Sequence, residues 1–125
     1  MNEYGRRMKV VVMKVDKPWG HLNIYALNKT CSVKLITIQP NQETSLHWHN
    51  LRSDTWVILD KGLRVQIGDE IHDAKVGEEF FIPAGQVHRI SSKGKRGRIL
   101  EVAFGYSLED DVHRLADDYG RELEI

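Results

Sequence analysis

The sequence predicts an all-β protein, an antiparallel barrel or sandwich of short strands in a single domain. Three observations predict it. Apolar, β-branched and aromatic residues gather in short runs, the runs are separated by Gly, Pro and Asn turn signals, and helical spacing is absent until the last stretch of the chain. A chain of 125 residues suits one core and is short for two. No linker, repeat or low-complexity tract divides it, so residues 1–125 are expected to form one domain.

In order, the expected strands are residues 8–15, 32–39, 44–48, 55–60, 63–67, 79–82, 87–90 and 98–104. The fifth carries the clearest pattern, with Leu63, Val65 and Ile67 alternating with Arg64 and Gln66, as on a half-buried strand. Turns are expected at Pro40-Asn41, Lys61-Gly62, Gly68-Asp69, Pro83-Ala84-Gly85 and Lys93-Gly94, where Gly supplies positive φ and Pro presets φ. In the last stretch Leu108, Val112, Leu115, Ala116 and Tyr119 fall at helical offsets, and Ser107 with Asp110 stands as a capping pair. A short helix is predicted there.

Lys plus Arg and Asp plus Glu both count 18, so no global field favours nucleic acid or an anionic membrane, and any anion site is local. No apolar run reaches the length of a signal peptide or a membrane span, which predicts a cytoplasmic protein without a membrane partner. Cys31 is the only cysteine, which excludes an internal disulfide and a thiolate metal cluster. A metal here needs His and carboxylate ligands.

Those residue types are present at a telling spacing. His47 and His49 are two apart on an expected strand and so project from one face. Asp54 follows after the turn Leu51-Arg52-Ser53, and the Pro83-Ala84-Gly85 turn introduces His88. The expected metal ligands are therefore His47, His49, Asp54 and His88.

Two stretches resemble the paired motifs of the cupin superfamily, G-x5-H-x-H-x3,4-E-x6-G and G-x5-P-x-G-x2-H-x3-N. The second fits from Gly77 through Pro83, Gly85 and His88. The first departs at Asn41, where Gly is usual, at Asp54, where Glu is usual, and at Gly62, one residue late; Ser92 replaces the closing Asn of the second. The resemblance implies a jelly-roll-like cupin barrel. It narrows further, because Lys17-Pro18-Trp19-Gly20, Ser45-Leu46-His47-Trp48-His49 with Arg52-Ser53-Asp54-Thr55-Trp56, and Ile82-Pro83-Ala84-Gly85 with His88-Arg89 are similar to motifs of the type II mannose-6-phosphate isomerases. So is the ending, Glu101-Val102 through Leu108, Glu109-Asp110-Asp111-Val112 and Arg114 to Asp118-Tyr119-Gly120-Arg121.

That resemblance implies isomerisation of mannose 6-phosphate to fructose 6-phosphate at one divalent metal ion, and a homodimer. His47 stands where this family usually has Gln, and three His with a carboxylate favour Zn²⁺, Mn²⁺, Fe²⁺ or Ni²⁺ over Mg²⁺. Many members also carry a nucleotidyltransferase domain; with no Gly-rich phosphate loop here, nucleotide transfer is not expected. Aldose–ketose isomerisation needs stabilised enediolate charge, a proton carrier and a phosphate clamp. Arg52 lies between metal ligands, and the resemblance adds Arg114 and Arg121 as substrate-binding residues. Glu101, inside the apolar run 99–104, is the expected base. His21, His72 and His113 read as surface or turn histidines, Trp19, Trp48 and Trp56 as packing residues, and Cys31 as inert. Two other readings stay open: a metal-binding cupin that oxidises, binds or senses another small molecule, and a metal-free interaction domain.

Overall fold

A computed structural model describes residues 12–121. Eleven strands, β1(Met13–Lys17), β2(Gly20–Ile24), β3(Ser32–Ile38), β4(Leu46–Trp48), β5(Arg52–Ile58), β6(Leu63–Ile67), β7(Glu70–Asp73), β8(Glu79–Ile82), β9(His88–Ser92), β10(Gly97–Gly105) and β11(His113–Ala116), account for the regular structure apart from one 3-10 turn at Glu109–Asp111. The hairpin β1–β2 stands by itself, a four-stranded sheet runs β3-β10-β5-β8, and a five-stranded sheet runs β11-β4-β9-β6-β7, all antiparallel. The two larger sheets form a sandwich and do not close into the expected barrel.

Period-two alternation builds the core. Trp56 and Ile58 of β5, Ile99 of β10, Ile38 of β3, and Phe80 and Ile82 of β8 meet Leu63 and Val65 of β6 and Ile90 of β9. Burying side chains of this size stabilises the sandwich by roughly 1.5–3 kcal/mol each before entropy is subtracted.

The expected helix is absent. The 3-10 turn ends at Asp111, and the chain then runs extended as β11, pairing His113 with Trp48, Arg114 with His47 and Ala116 with Leu46. The reason is tertiary: Asp111 accepts the backbone N–H groups of Asn50 and Leu51 at 3.0 and 2.8 Å, which pins this segment beside β4 in place of a continued helix. Ser107 caps nothing; its hydroxyl accepts from Arg52 Nη1 at 3.0 Å. Strands β2 and β7 are additional to the expected set, and of the expected strand 8–15 residues 8–11 lie outside the described residues. Trp19, expected to pack, is 71% exposed in the β1–β2 turn.

Two departures from the cupin motifs have structural accounts. Asn41 adopts φ of 61°, a left-handed conformation that Asn tolerates, and its side chain accepts the N–H of Gly94 at 2.9 Å. Buried Ser92 donates to the carbonyl of Gln39 at 2.5 Å. Gly105 allows the tightest approach of any glycine among the described residues: a Cβ there would lie 2.1 Å from the Leu51 carbonyl oxygen, beside the bond from Tyr106 N–H to that same oxygen. This crossing brings Ser107 up to Arg52.

Candidate active site

Neighbouring strands deliver the three histidines to one point. His47 lies on β4, His49 just after it, and His88 opens β9 directly opposite His47 in the ladder. Their ligand nitrogens all lie within 4.8 Å of one another. Each ring's Nδ1 faces a backbone carbonyl: His47 that of Ser45 at 2.8 Å, His49 that of Asp111 at 3.1 Å, and His88 that of Gln86 at 2.8 Å. A carbonyl only accepts, so each Nδ1 carries the hydrogen and each Nε2 keeps its lone pair, the tautomer a metal ligand needs. Burial, followed by the repulsion that a protonated His88 would exert, pushes His47 down to about 3. Burial likewise pushes His49 and His88 down to about 4. The trio is therefore neutral at physiological pH.

Asp54 lies just outside this trio, with Oδ2 3.9 Å from His49 Nε2 and 4.0 Å from His88 Nε2. It is fully buried, and neither carboxylate oxygen has a hydrogen-bond partner. Burial first and the adjacent Glu101 second push it up to about 7, against the pull of Arg52. A buried carboxylate without hydrogen bonds costs free energy, which the Arg52 guanidinium offsets in part and a cation at this point would offset further. The donor set thus fits one divalent ion on three imidazoles with Asp54 alongside. The fit has one condition: His49 Nε2 accepts from Arg52 Nη2 at 2.8 Å, so a metal on that nitrogen requires Arg52 to turn away from it.

Arg52 has other anchors. Its Nε stands 3.2 Å from Asp54 Oδ1 and its Nη2 3.8 Å from Glu101 Oε2, besides the bond to Ser107. Glu101 is buried on β10 and accepts from Trp56 Nε1 at 3.0 Å. It does not line the cavity that opens over the trio.

That cavity measures about 810 Å³ and is lined by His47, His49, Arg52, Arg114 and Arg121, among others. Arg114 reaches it from β11 beside His47, and Arg121 follows the Asp117–Gly120 turn, where Asp117 holds its guanidinium at 2.8 and 3.1 Å. Lys34 and Ser107 are among the lining residues that the sequence did not reveal as part of the site. Lys34 shares strand parity with Ile36 and Ile38, a detectable signal, whereas Ser107 was obscured by its match to a helix cap. The remaining histidines stand apart: His113 stacks on Trp48 at 5.2 Å, His72 pairs with Glu70 at 3.2 Å, and His21 lies on the β1–β2 hairpin.

Two antiparallel sheets enclosing an inward-facing imidazole cluster at one end define a cupin. The chain belongs to the mannose-6-phosphate isomerase C-terminal family, whose model matches residues 4–117. The xanthan biosynthesis protein XanB of Xanthomonas campestris pv. campestris is 34% identical over 110 residues, covering 86% of this chain and 24% of that protein. A mannose-1-phosphate guanylyltransferase of Escherichia coli K12 is 34% identical over 119 residues, covering 94% of this chain and 25% of that enzyme. The chain thus spans about a quarter of the length of these relatives. A cupin-superfamily sugar phosphate isomerase from Silicibacter pomeroyi shares the fold, with a TM-score of 0.56 and 19% identity over 63% of this chain and 52% of that one. Among the described residues no helix is long and apolar enough to cross a membrane.

Proposed function

We propose that this chain is a metal-dependent sugar-phosphate isomerase that interconverts mannose 6-phosphate and fructose 6-phosphate. The observation that carries the reading is the composition of one cavity, in which neutral imidazoles and the guanidiniums of Arg52, Arg114 and Arg121 line the same space. A guanidinium suits a phosphorylated ligand because its fork donates two parallel hydrogen bonds to phosphate oxygens.

The reaction moves a proton from C2 to C1 and another from O2 to O1, with no external oxidant. His47, His49 and His88, with Asp54, would hold the metal, which supplies Lewis-acidic charge at the C1–C2 oxygens when bound. Arg52, 9% exposed against 42% for Arg121, would donate to a sugar hydroxyl or to the phosphate, and Arg114 and Arg121 would meet another part of the substrate. Glu101 is the proposed proton carrier. Its Oε2 lies 3.8 Å behind Arg52 Nη2, so it reaches substrate only when Arg52 shifts. A cytoplasmic homodimer is part of the same proposal: β3 is an edge strand with Val33 and Leu35 exposed, a surface a second copy can cover.

Incubation of purified protein, reconstituted with Zn²⁺, Mn²⁺, Fe²⁺ or Ni²⁺, with mannose 6-phosphate and a panel of other hexose phosphates tests the reading. Fructose 6-phosphate is the expected product. Retained metal binding with turnover of none of them would move the chain to the other cupin reading, a metal-binding domain for a different small molecule.

A further inference from the structure

We infer that Lys34 anchors the phosphate of the substrate, an assignment that rests on the isomerase reading and adds a residue to it. On β3 the side chains of Lys34, Ile36 and Ile38 share one face; Ile38 lies in the core, Ile36 packs against it, and Lys34, one step further along, lines the cavity. The sheet register places Lys34 on one rung with buried Glu101 and Trp56, which puts its side chain on the cavity side of the sheet, where Lys34 itself remains exposed to the cavity mouth.

The neighbouring charges then separate Lys34 from two of the guanidiniums. Arg52 is matched by Asp54 at 3.2 Å and Glu101 at 3.8 Å and donates to Ser107 and His49. Arg121 is held on both oxygens of Asp117. Of the carboxylates in the cavity wall, Glu43 already faces Arg89 at 3.6 Å. Among the described residues the Lys34 ammonium has no direct ion pair or hydrogen bond, and its charge acts on Asp54 only at longer range. A phosphate brings between one and two negative charges, and a guanidinium already matched by a carboxylate presents a largely cancelled field to it. Lys34 can meet it without breaking any internal pair. Its flexible stem also lets the ammonium follow the phosphate.

An inward lysine on an edge strand has a second known use, discouraging strand-to-strand association. The two roles differ in what they predict. As an anchor, Lys34→Met raises the KM for mannose 6-phosphate about ten-fold or more, the loss of one charge-assisted contact. It raises the inhibition constant of inorganic phosphate by a similar factor and leaves the weak binding of unphosphorylated mannose as it was, and Lys34→Arg recovers most of the loss. If mannose 6-phosphate binds but is not turned over, calorimetric dissociation constants replace KM; the isomerase reading then fails while a ten-fold loss in Lys34→Met still upholds the anchor. Unchanged affinity in Lys34→Met overturns it, as does an altered oligomeric state with unchanged affinity. Failure of the wild type to bind either mannose 6-phosphate or inorganic phosphate overturns it too.

Discussion

The interior of the sandwich has two halves built on the same strands. Along β5 the inward residues run Asp54, Trp56, Ile58; along β9, His88, Ile90; along β10, Glu101 then Ile99 in the reverse direction. One end of each strand is apolar and the other polar, yet both are sealed: Ile58, Ile99 and Asp54 are all 0% exposed and His88 is 2% exposed. The apolar half gains free energy from burial. The polar half loses it, most plainly at Asp54, whose two oxygens lack hydrogen-bond partners. Alternation therefore decides which face is inside, and the residue type along that face decides whether a stretch holds the fold or performs chemistry.

The division is broken most directly by one truncation in each half. His88→Ala removes an imidazole from the trio and is expected to lower metal affinity by more than about 100-fold, beyond the 10–100-fold typical of losing a partner that only orients a ligand. Ile58→Ala is expected to cost about 2–5 kcal/mol of stability through lost burial and a residual cavity, with metal affinity nearly unchanged. Urea unfolding and metal titration by calorimetry, run on both variants, give the two axes. A His88→Ala protein that keeps its metal, or an Ile58→Ala protein that loses it, would show that the halves are not separate.

Within the polar half, Arg52 and Glu101 sharpen the comparison between binding and proton transfer. Arg52→Ala should raise KM for mannose 6-phosphate about ten-fold while the metal stays bound. Glu101→Gln keeps an oxygen for the Trp56 indole but removes the charge, and is expected to lower kcat by about 100-fold or more with a smaller change in KM. If Glu101→Gln instead reproduces the KM effect of Arg52→Ala, the carboxylate positions Arg52 and carries no proton.

Much of this was legible in the sequence because it is local. The alternation in 63–67, the Gly and Pro turns, and the His47/His49 and Pro83-to-His88 spacings are each set within a few residues, and the three histidines do converge in the structure. What was hidden depends on partners far along the chain. Residues 113–116 have helical spacing but lie as a strand because Asp111 binds backbone some 60 residues earlier, and Ser107 looks like a cap until Gly105 brings it to Arg52. The short, exposed strands β2 and β7 carry too few buried residues to show a period. The closure state of the sheets, sandwich against barrel, is a property of long-range pairing that strand patterns do not encode.

The smallest expected effect is electrostatic and concerns the cost of the polar half. Folding lowers the three imidazoles from the ordinary value of 6.5 to about 3 for His47 and about 4 for His49 and His88. As pH falls from about 6.5 toward 4, the unfolded chain takes up three protons that the folded chain refuses, so stability falls. Asp54 works in the opposite direction: its folded value is about 7 against an ordinary 3.8, so over much of the same range the folded chain takes up one proton that the unfolded chain does not. Three protons against one leave a net loss of stability on acidification in the metal-free protein. Asp54→Asn removes the opposing proton, and each proton contributes about 1.4 kcal/mol per pH unit to the slope. The variant should therefore lose stability more steeply than the wild type between pH 6.5 and 4, by up to about that amount per unit. Urea unfolding of both chelator-treated proteins across this range reads the difference, in which groups common to both cancel. Parallel curves would mean that Asp54 is ionised in the folded protein at neutral pH, and that Arg52 balances its charge without a metal.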